Sequence, residues 1–216
     1  MKTKPTSSRR PGALLALAAA ALAALTACTV AGPAQDDPTH YYVLTDASFH
    51  AGDAATAGTL RLGLRPVTVD AYLRRREIVV RTAGNEVVFK TYRLWAEPLD
   101  TAIGRVLRGQ LLASPQVAQV YAAPFPGDQD RDFDVAVDVR RCEAEADGTG
   151  ARTASLAATV EVWTAGPSPR LVARRSFVAA PAAWDGSDYG QLAGLLSADV
   201  AALAREIASA LPAKAP

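Results

Sequence analysis

Two stretches of the chain alternate apolar and polar side chains with a strict period of two, and few folds can accommodate that pattern. Phe133, Val135, Val137 and Val139 interleave with Asp132, Asp134, Ala136, Asp138 and Arg140, and Leu156, Ala158, Val160 and Val162 repeat the pattern. Successive side chains of a strand point to opposite faces, so each stretch reads as a strand buried on one face only. Leu60, Leu62 and Leu64 alternate in the same way with Arg61, Gly63 and Arg65, and Tyr41 to Leu44 is a short apolar run. Glu77 to Arg81 and Glu86 to Thr91 are β-rich runs around Thr82-Ala83-Gly84-Asn85; Gly84 and Asn85 tolerate positive φ, as a hairpin turn requires. Gly166 to Pro169 makes a further turn into another strand-like run from Leu171 to Val178.

Elsewhere the period is helical. Pro98 suits the first position of a helix whose apolar stripe is Leu99, Ile103, Val106, Leu107 and Leu111, ending before Ser114-Pro115. Tyr189, Leu192, Leu196, Val200, Leu203, Ile207 and Leu211 form a second amphipathic stripe that stops at Pro212. Strands then a helix, twice over, predict an α+β fold with a mainly antiparallel sheet and two helices packed on one face.

Residues 1–12 carry Lys2, Lys4, Arg9 and Arg10 and no acid, and they precede an apolar run from Ala13 to Ala24. Such a run is too short to span a bilayer but suits the core of a signal peptide. Ser8-Arg9-Arg10 is faintly similar to a twin-arginine signal and is read here as plain amino-terminal charge. Leu25-Thr26-Ala27-Cys28 resembles the lipobox of bacterial lipoproteins: a branched apolar residue, two small residues, then cysteine. Three segments are therefore expected: a signal peptide over 1–27, a lipidated Cys28 with a flexible tether over 28–39, and a single globular domain over 40–216. The tether composition is small residues, two prolines and two acids, without apolar periodicity. Each buried methylene of an acyl chain such as palmitate is worth about 0.8 kcal/mol, so two or three chains on Cys28 anchor durably. No aspartate follows the cysteine, and in lipoproteins generally its absence points toward the outer membrane.

The formal charge of +1 includes the leader; four of the 23 basic residues lie there, leaving 19 against 22 acidic residues. A body that is mildly acidic lacks the concentrated basic surface of a nucleic-acid binder, and no nucleic acid is expected as a partner. With Cys28 acylated, Cys142 has no partner for an internal disulfide and reads as an inert, partly buried thiol. No nucleophile elbow, phosphate-binding glycine loop or dinucleotide fingerprint occurs. His40 and His50 lack zinc-ligand spacing, so no catalytic residue, metal or cofactor is expected beyond the covalent lipid.

Asp128, Asp130 and Asp132 imitate the start of a calcium loop, but Phe133 stands where glycine is needed and Val139 where a bidentate glutamate is needed. They read as a solvated acidic loop. Glu97 and Asp100 read as carboxylates favouring the positive end of the first helix. Arg74-Arg75-Arg76 is the one dense basic run; it reads as a solvated face, with lipid headgroups or an acidic partner as the alternative. Tyr92 and Trp95 read as core, with a contact surface as the alternative.

With the lipobox placed, the order of motifs resembles the ABC-type transport auxiliary lipoproteins of the PqiC or YmbA type. The resemblance is carried by Tyr41-Tyr42-Val43-Leu44, by Val67-Thr68-Val69-Asp70-Ala71-Tyr72-Leu73, by Leu94-Trp95-Ala96-Glu97-Pro98-Leu99-Asp100, and by a last helix running from Tyr189 through Ala204-Arg205-Glu206-Ile207. It implies a non-enzymatic, lipid-anchored accessory on the periplasmic face of the outer membrane. It also implies a role in envelope integrity, docking an MCE-domain protein that spans the periplasm and carries lipid. Tyr41, Tyr42, Tyr72, Trp95, Pro98, Leu99 and Asp100 are the motif residues that would build either the body or the partner-contact face. The expected partners are that MCE-domain protein and the outer-membrane bilayer, with a homo-oligomer left open. The alternative is a structural or assembly lipoprotein, a pilot for another outer-membrane machine.

Overall fold

The computed structural model describes residues 36–46, 58–83, 85–125 and 130–212. The signal peptide, the lipobox with Cys28, most of the tether, His50, Gly84 and Asp128 lie outside the described residues. In chain order the elements are β1 (His40–Tyr42), β2 (Leu60–Leu64), β3 (Thr68–Val69), a 3-10 turn (Ala71–Arg74), β4 (Glu77–Arg81), β5 (Val87–Trp95) and α1 (Leu99–Leu112). They continue with β6 (Val117–Ala122), β7 (Phe133–Ala146), β8 (Arg152–Thr164), β9 (Leu171–Val178), β10 (Ala182–Ala183) and α2 (Tyr189–Ala210).

Strand β7 organises the sheet. One of its edges pairs along its length with β8, antiparallel, and β8 carries β9 and β10 on its far side. Its other edge receives β2, β3 and β4 in succession, all parallel: Leu62 beside Phe133, Thr68 beside Asp138, Val80 beside Ala144. Residues 60–81 thus follow β7 as one interrupted strand, and Arg65 N–H donates to Val135 O and Asp70 N–H to Val139 O between the formal pairings. The 3-10 turn takes up the residues that would otherwise overrun the register. From this edge β2 extends to β6, and β4 extends through β5 to β1.

The fold is α+β as expected, but the sheet is mixed. The long β7–β8–β9 ladders are antiparallel, whereas β1–β5, β2–β6 and the β2, β3 and β4 pairings with β7 are parallel. A two-residue period assigns faces and carries no strand direction. Parallel pairing here follows from the long connection, a hairpin, α1 and β6, that separates residues 60–81 from β7.

The alternating residues Val135, Val137, Val139, Leu156, Val160 and Val162 are buried under the helices. A register shift between Val139 and Arg141 inserts Arg140 as an extra residue, so burial resumes at Cys142 and Ala144. Gly63 is buried as well, and a Cβ there would collide with the Asp134 carboxylate. Helices α1 and α2 pack on one another, and their buried stripes are the predicted ones: Leu99, Ile103, Val106, Leu107 and Leu111 on α1, Leu192, Leu196, Val200, Leu203 and Ile207 on α2. Pro98 is the residue before the helix, one position earlier than expected. The β4–β5 hairpin forms as predicted, closed by Thr82 N–H donating to Glu86 O.

Asp199 interrupts the apolar stripe of α2. It is buried, its Oδ2 has no hydrogen-bond partner among the described residues, and burial pushes its carboxyl up from 3.8 to about 6. The folded state therefore keeps a proton that the unfolded chain releases near pH 4, and stability falls as pH rises from about 4 through 6. Asp199→Asn is expected to flatten that slope and to raise stability above pH 7 by about 2 kcal/mol. Urea unfolding of both forms across pH 4 to 8 checks this.

Candidate functional site

The Tyr41–Leu44 and Leu94–Asp100 motifs converge on the β1–β5 corner, the first part of the described chain to join the sheet. β1 pairs in parallel with the end of β5, placing His40 beside Arg93, Tyr41 beside Leu94 and Tyr42 beside Trp95. Alternation then separates two faces. Tyr42 and Trp95 turn toward the helices, while Tyr41, Val43, Tyr92 and Leu94 turn to the open face.

On the helix side Trp95 is 2% exposed and belongs to the core. The Tyr42 ring lies 6.1 Å from Tyr189 at the start of α2, and Tyr189 meets Trp184 edge-on at 5.2 Å. Trp184 Nε1 donates to Asp188 O, and Asp188 caps α2 by accepting from Gln191 N–H at 3.0 Å. Asp185 accepts from Asp188 N–H and Ser187 N–H, which holds its carboxyl below the usual carboxylate range.

Residues 42–46 continue from β1 as a strap across both helices. Leu44 is buried, and its carbonyl accepts from Arg105 of α1 at 2.8 Å. Thr45 N–H donates to Ser197 Oγ of α2 at 3.0 Å, and Asp46 accepts from Gln110 Nε2 of α1 at 2.6 Å. Gly109 lets the strap approach, since a Cβ there would meet the Asp46 carboxylate. Arg105 also pairs with Glu97, ahead of α1, and so links that residue to the strap. Asp100 does lie in the first turn, accepting from Thr101 N–H at 2.9 Å. Sequence reasoning missed Arg105, Gln110 and Ser197, because polar residues on an amphipathic helix look alike until the partner strand is in place.

The basic run divides by residue. Arg76 donates to the carbonyls of Trp95 and Ala96 and accepts from Trp95 N–H through its own carbonyl, clamping the end of β5. Arg75 pairs with Glu77 at 2.8 Å and stacks on Phe89 at 4.5 Å, while Arg74 is exposed on the 3-10 turn. Tyr92 departs from the core reading: it is 53% exposed. Tyr72 lies away from this corner. Its hydroxyl donates to Arg140 O at the β7 irregularity and accepts from Arg81 at 3.2 Å. Arg81 is also bonded at 2.6 Å to Glu143, which is 0% exposed. Burial, then the Glu143 carboxylate, pushes the Tyr72 hydroxyl above its ordinary range. Leu99 is buried in α1 and Pro98 is exposed ahead of it.

Among the described residues no group of three His, Cys, Asp or Glu side chains could hold a metal ion. Cys142 is fully enclosed, and burial pushes its thiol well above the ordinary value. No helix among the described residues is long and apolar enough to cross a membrane.

The sequence profile of the ABC-type transport auxiliary lipoprotein component matches residues 42–208, from the strap to the last helix. The chain belongs to this family. As an ABC-type transport auxiliary lipoprotein it is a transport accessory, in a family of transport components and not of enzymes. The crystal structure of protein XCC0632 from Xanthomonas campestris is similar in fold, with a TM-score of 0.66 at 18% identity over 78% of this chain and 92% of that one. A crystal structure of an uncharacterized protein is similar with a TM-score of 0.62 at 20% identity, covering 79% of this chain and 97% of that one. No curated protein matches the sequence.

The two faces of the corner make opposite demands on substitution. Trp95→Ala removes a buried ring and is expected to cost about 3 to 5 kcal/mol. Tyr41→Ser, at a side chain 59% exposed, is expected to change stability by no more than about 0.5 kcal/mol. Thermal unfolding of the two variants checks this.

Proposed function

We propose that this auxiliary lipoprotein is held at the periplasmic face of the outer membrane by acyl chains on Cys28. There it docks the periplasm-spanning MCE-domain component of an intermembrane lipid transport system and so supports envelope integrity. The observation that carries the reading is the family match over residues 42–208, which begins at Tyr42 and takes in the strap that ties β1 to α1 and α2. Force or position imposed on the amino-terminal side of β1 reaches both helices through these contacts. An anchored docking subunit needs that rigidity. The buried titratable groups fit this role, since Cys142, Asp199 and Glu143 are enclosed among structural neighbours.

The tether supplies reach. A chain of 11 residues, the number between Cys28 and His40, reaches at most about 40 Å, enough to let the body meet a partner without leaving the membrane.

Cys28→Ser is expected to leave a folded domain that no longer fractionates with the outer membrane. In-cell crosslinking of the native protein is expected to capture an MCE-domain protein, and deletion to raise envelope permeability. A native protein that yields no such crosslink, with permeability unchanged on deletion, defeats the reading. Mass spectrometry of the mature amino terminus tests the anchor separately.

A further inference from the structure

The open face of the β1–β5 corner carries side chains that neither the core nor the strap uses. Tyr41 is 59% exposed, Val43 48% and Tyr92 53%; strand alternation puts all three on the face away from the helices, with Tyr41 beside Leu94 in the β1–β5 register. Basic groups surround them. The Arg76 guanidinium lies 5.9 Å from the Tyr41 ring centroid, Arg75 covers Phe89, and Arg74 projects from the preceding turn. Along β1 and residues 74–77, Arg74, Arg75 and Arg76 stand against Glu77, which Arg75 already neutralises. Asp36 and Asp37 are the acids just ahead of β1.

This surface begins one residue after the tether joins the sheet at His40. A connection of about a dozen residues holds whatever its two ends carry at an effective concentration in the millimolar range, so a weak contact is populated. Tyrosine combines an apolar ring with a hydroxyl that stays hydrated, which suits it to the headgroup level of a bilayer. Arginine side chains beside it match anionic headgroups in charge and geometry.

We infer that this corner is a membrane-interface surface: Tyr41, Val43 and Tyr92 settle into the headgroup layer of an anionic phospholipid leaflet, with Arg74 turned to its phosphates. The inference rests on the proposed acylation of Cys28 and adds an orientation to it. With this corner down, β9 lies at the other end of the path β1-β5-β4-β7-β8-β9, facing away from the lipid. The tethered domain then has one fixed attitude, where a lipid anchor alone leaves it free to tumble.

The test uses the full acylated lipoprotein with Val43→Cys carrying an environment-sensitive fluorophore; Cys142 is buried and takes no label. Val178→Cys, on β9 and 74% exposed, is the control. On vesicles of phosphatidylethanolamine with phosphatidylglycerol, the position 43 label is expected to shift to the blue and to be quenched by headgroup-level lipid quenchers, while the position 178 label stays in water. The shift is expected to shrink on neutral phosphatidylcholine vesicles, at about 1 M salt, where the Debye length is about 3 Å, and on adding Arg74→Glu with Tyr92→Ser. A protein that floats with vesicles while the position 43 label stays in water, or while both labels shift alike, overturns the inference and leaves the anchor standing. Shielding of position 43 in intact envelopes but not on vesicles overturns it in favour of a protein partner. A chain that carries no acyl groups and does not float overturns both.

Discussion

Strand β7 is the constraint on which the other elements depend. It is the one strand bonded along one edge to a single partner, β8, and along the other to three in succession, β2, β3 and β4. Its helix-facing side chains are the floor on which α1 and α2 lie. The irregularity at Arg140 divides this floor in two, and the Tyr72 hydroxyl supplies a donor for the carbonyl that the extra residue leaves outside the ladder. Tyr72, Arg81 and Glu143 therefore act together to let one long strand change phase without losing its partners. A buried ion pair offsets its own desolvation only when its remaining atoms are satisfied. Among the described residues Glu143 Oε2 has no partner, so the cluster holds register more than it adds stability.

The strap over residues 42–46 joins this sheet to the rest of the molecule. Each of its backbone and side-chain contacts goes to a different helix position: Arg105 and Gln110 on α1, Ser197 on α2. The segment nearest the proposed anchor is thus bonded into the two-helix layer and not merely laid on the sheet edge. For a protein whose family role is auxiliary to transport, that arrangement makes the place of attachment part of the folded core.

Periodicity made the helices and the long strands legible. Leu99 to Leu111 and Leu192 to Leu211 have no other way to bury their stripes, and Val135 to Val139 can only be a half-buried strand. The Leu94 to Asp100 stretch is recognisable as a motif, but not as part of a corner with two faces, Trp95 inward and, two residues ahead of the motif, Tyr92 outward. The two aromatics, three residues apart on β5, differ in burial because strand alternation sets them on opposite faces. The basic run likewise read as one feature, and the fold splits it into a clamp, a stacked ion pair and an exposed side chain.

From sequence alone come the element types, the buried faces, the export-and-anchor pattern and the motifs that mark the family, because each depends on residues close together in the chain. Tertiary structure alone decided strand direction, the succession of β2, β3 and β4 along β7, the strap's partners and the aromatic, basic corner beside the tether. Those features join residues roughly 50 to 150 positions apart, and their pairing is settled by which faces can be covered together, a condition no local pattern encodes.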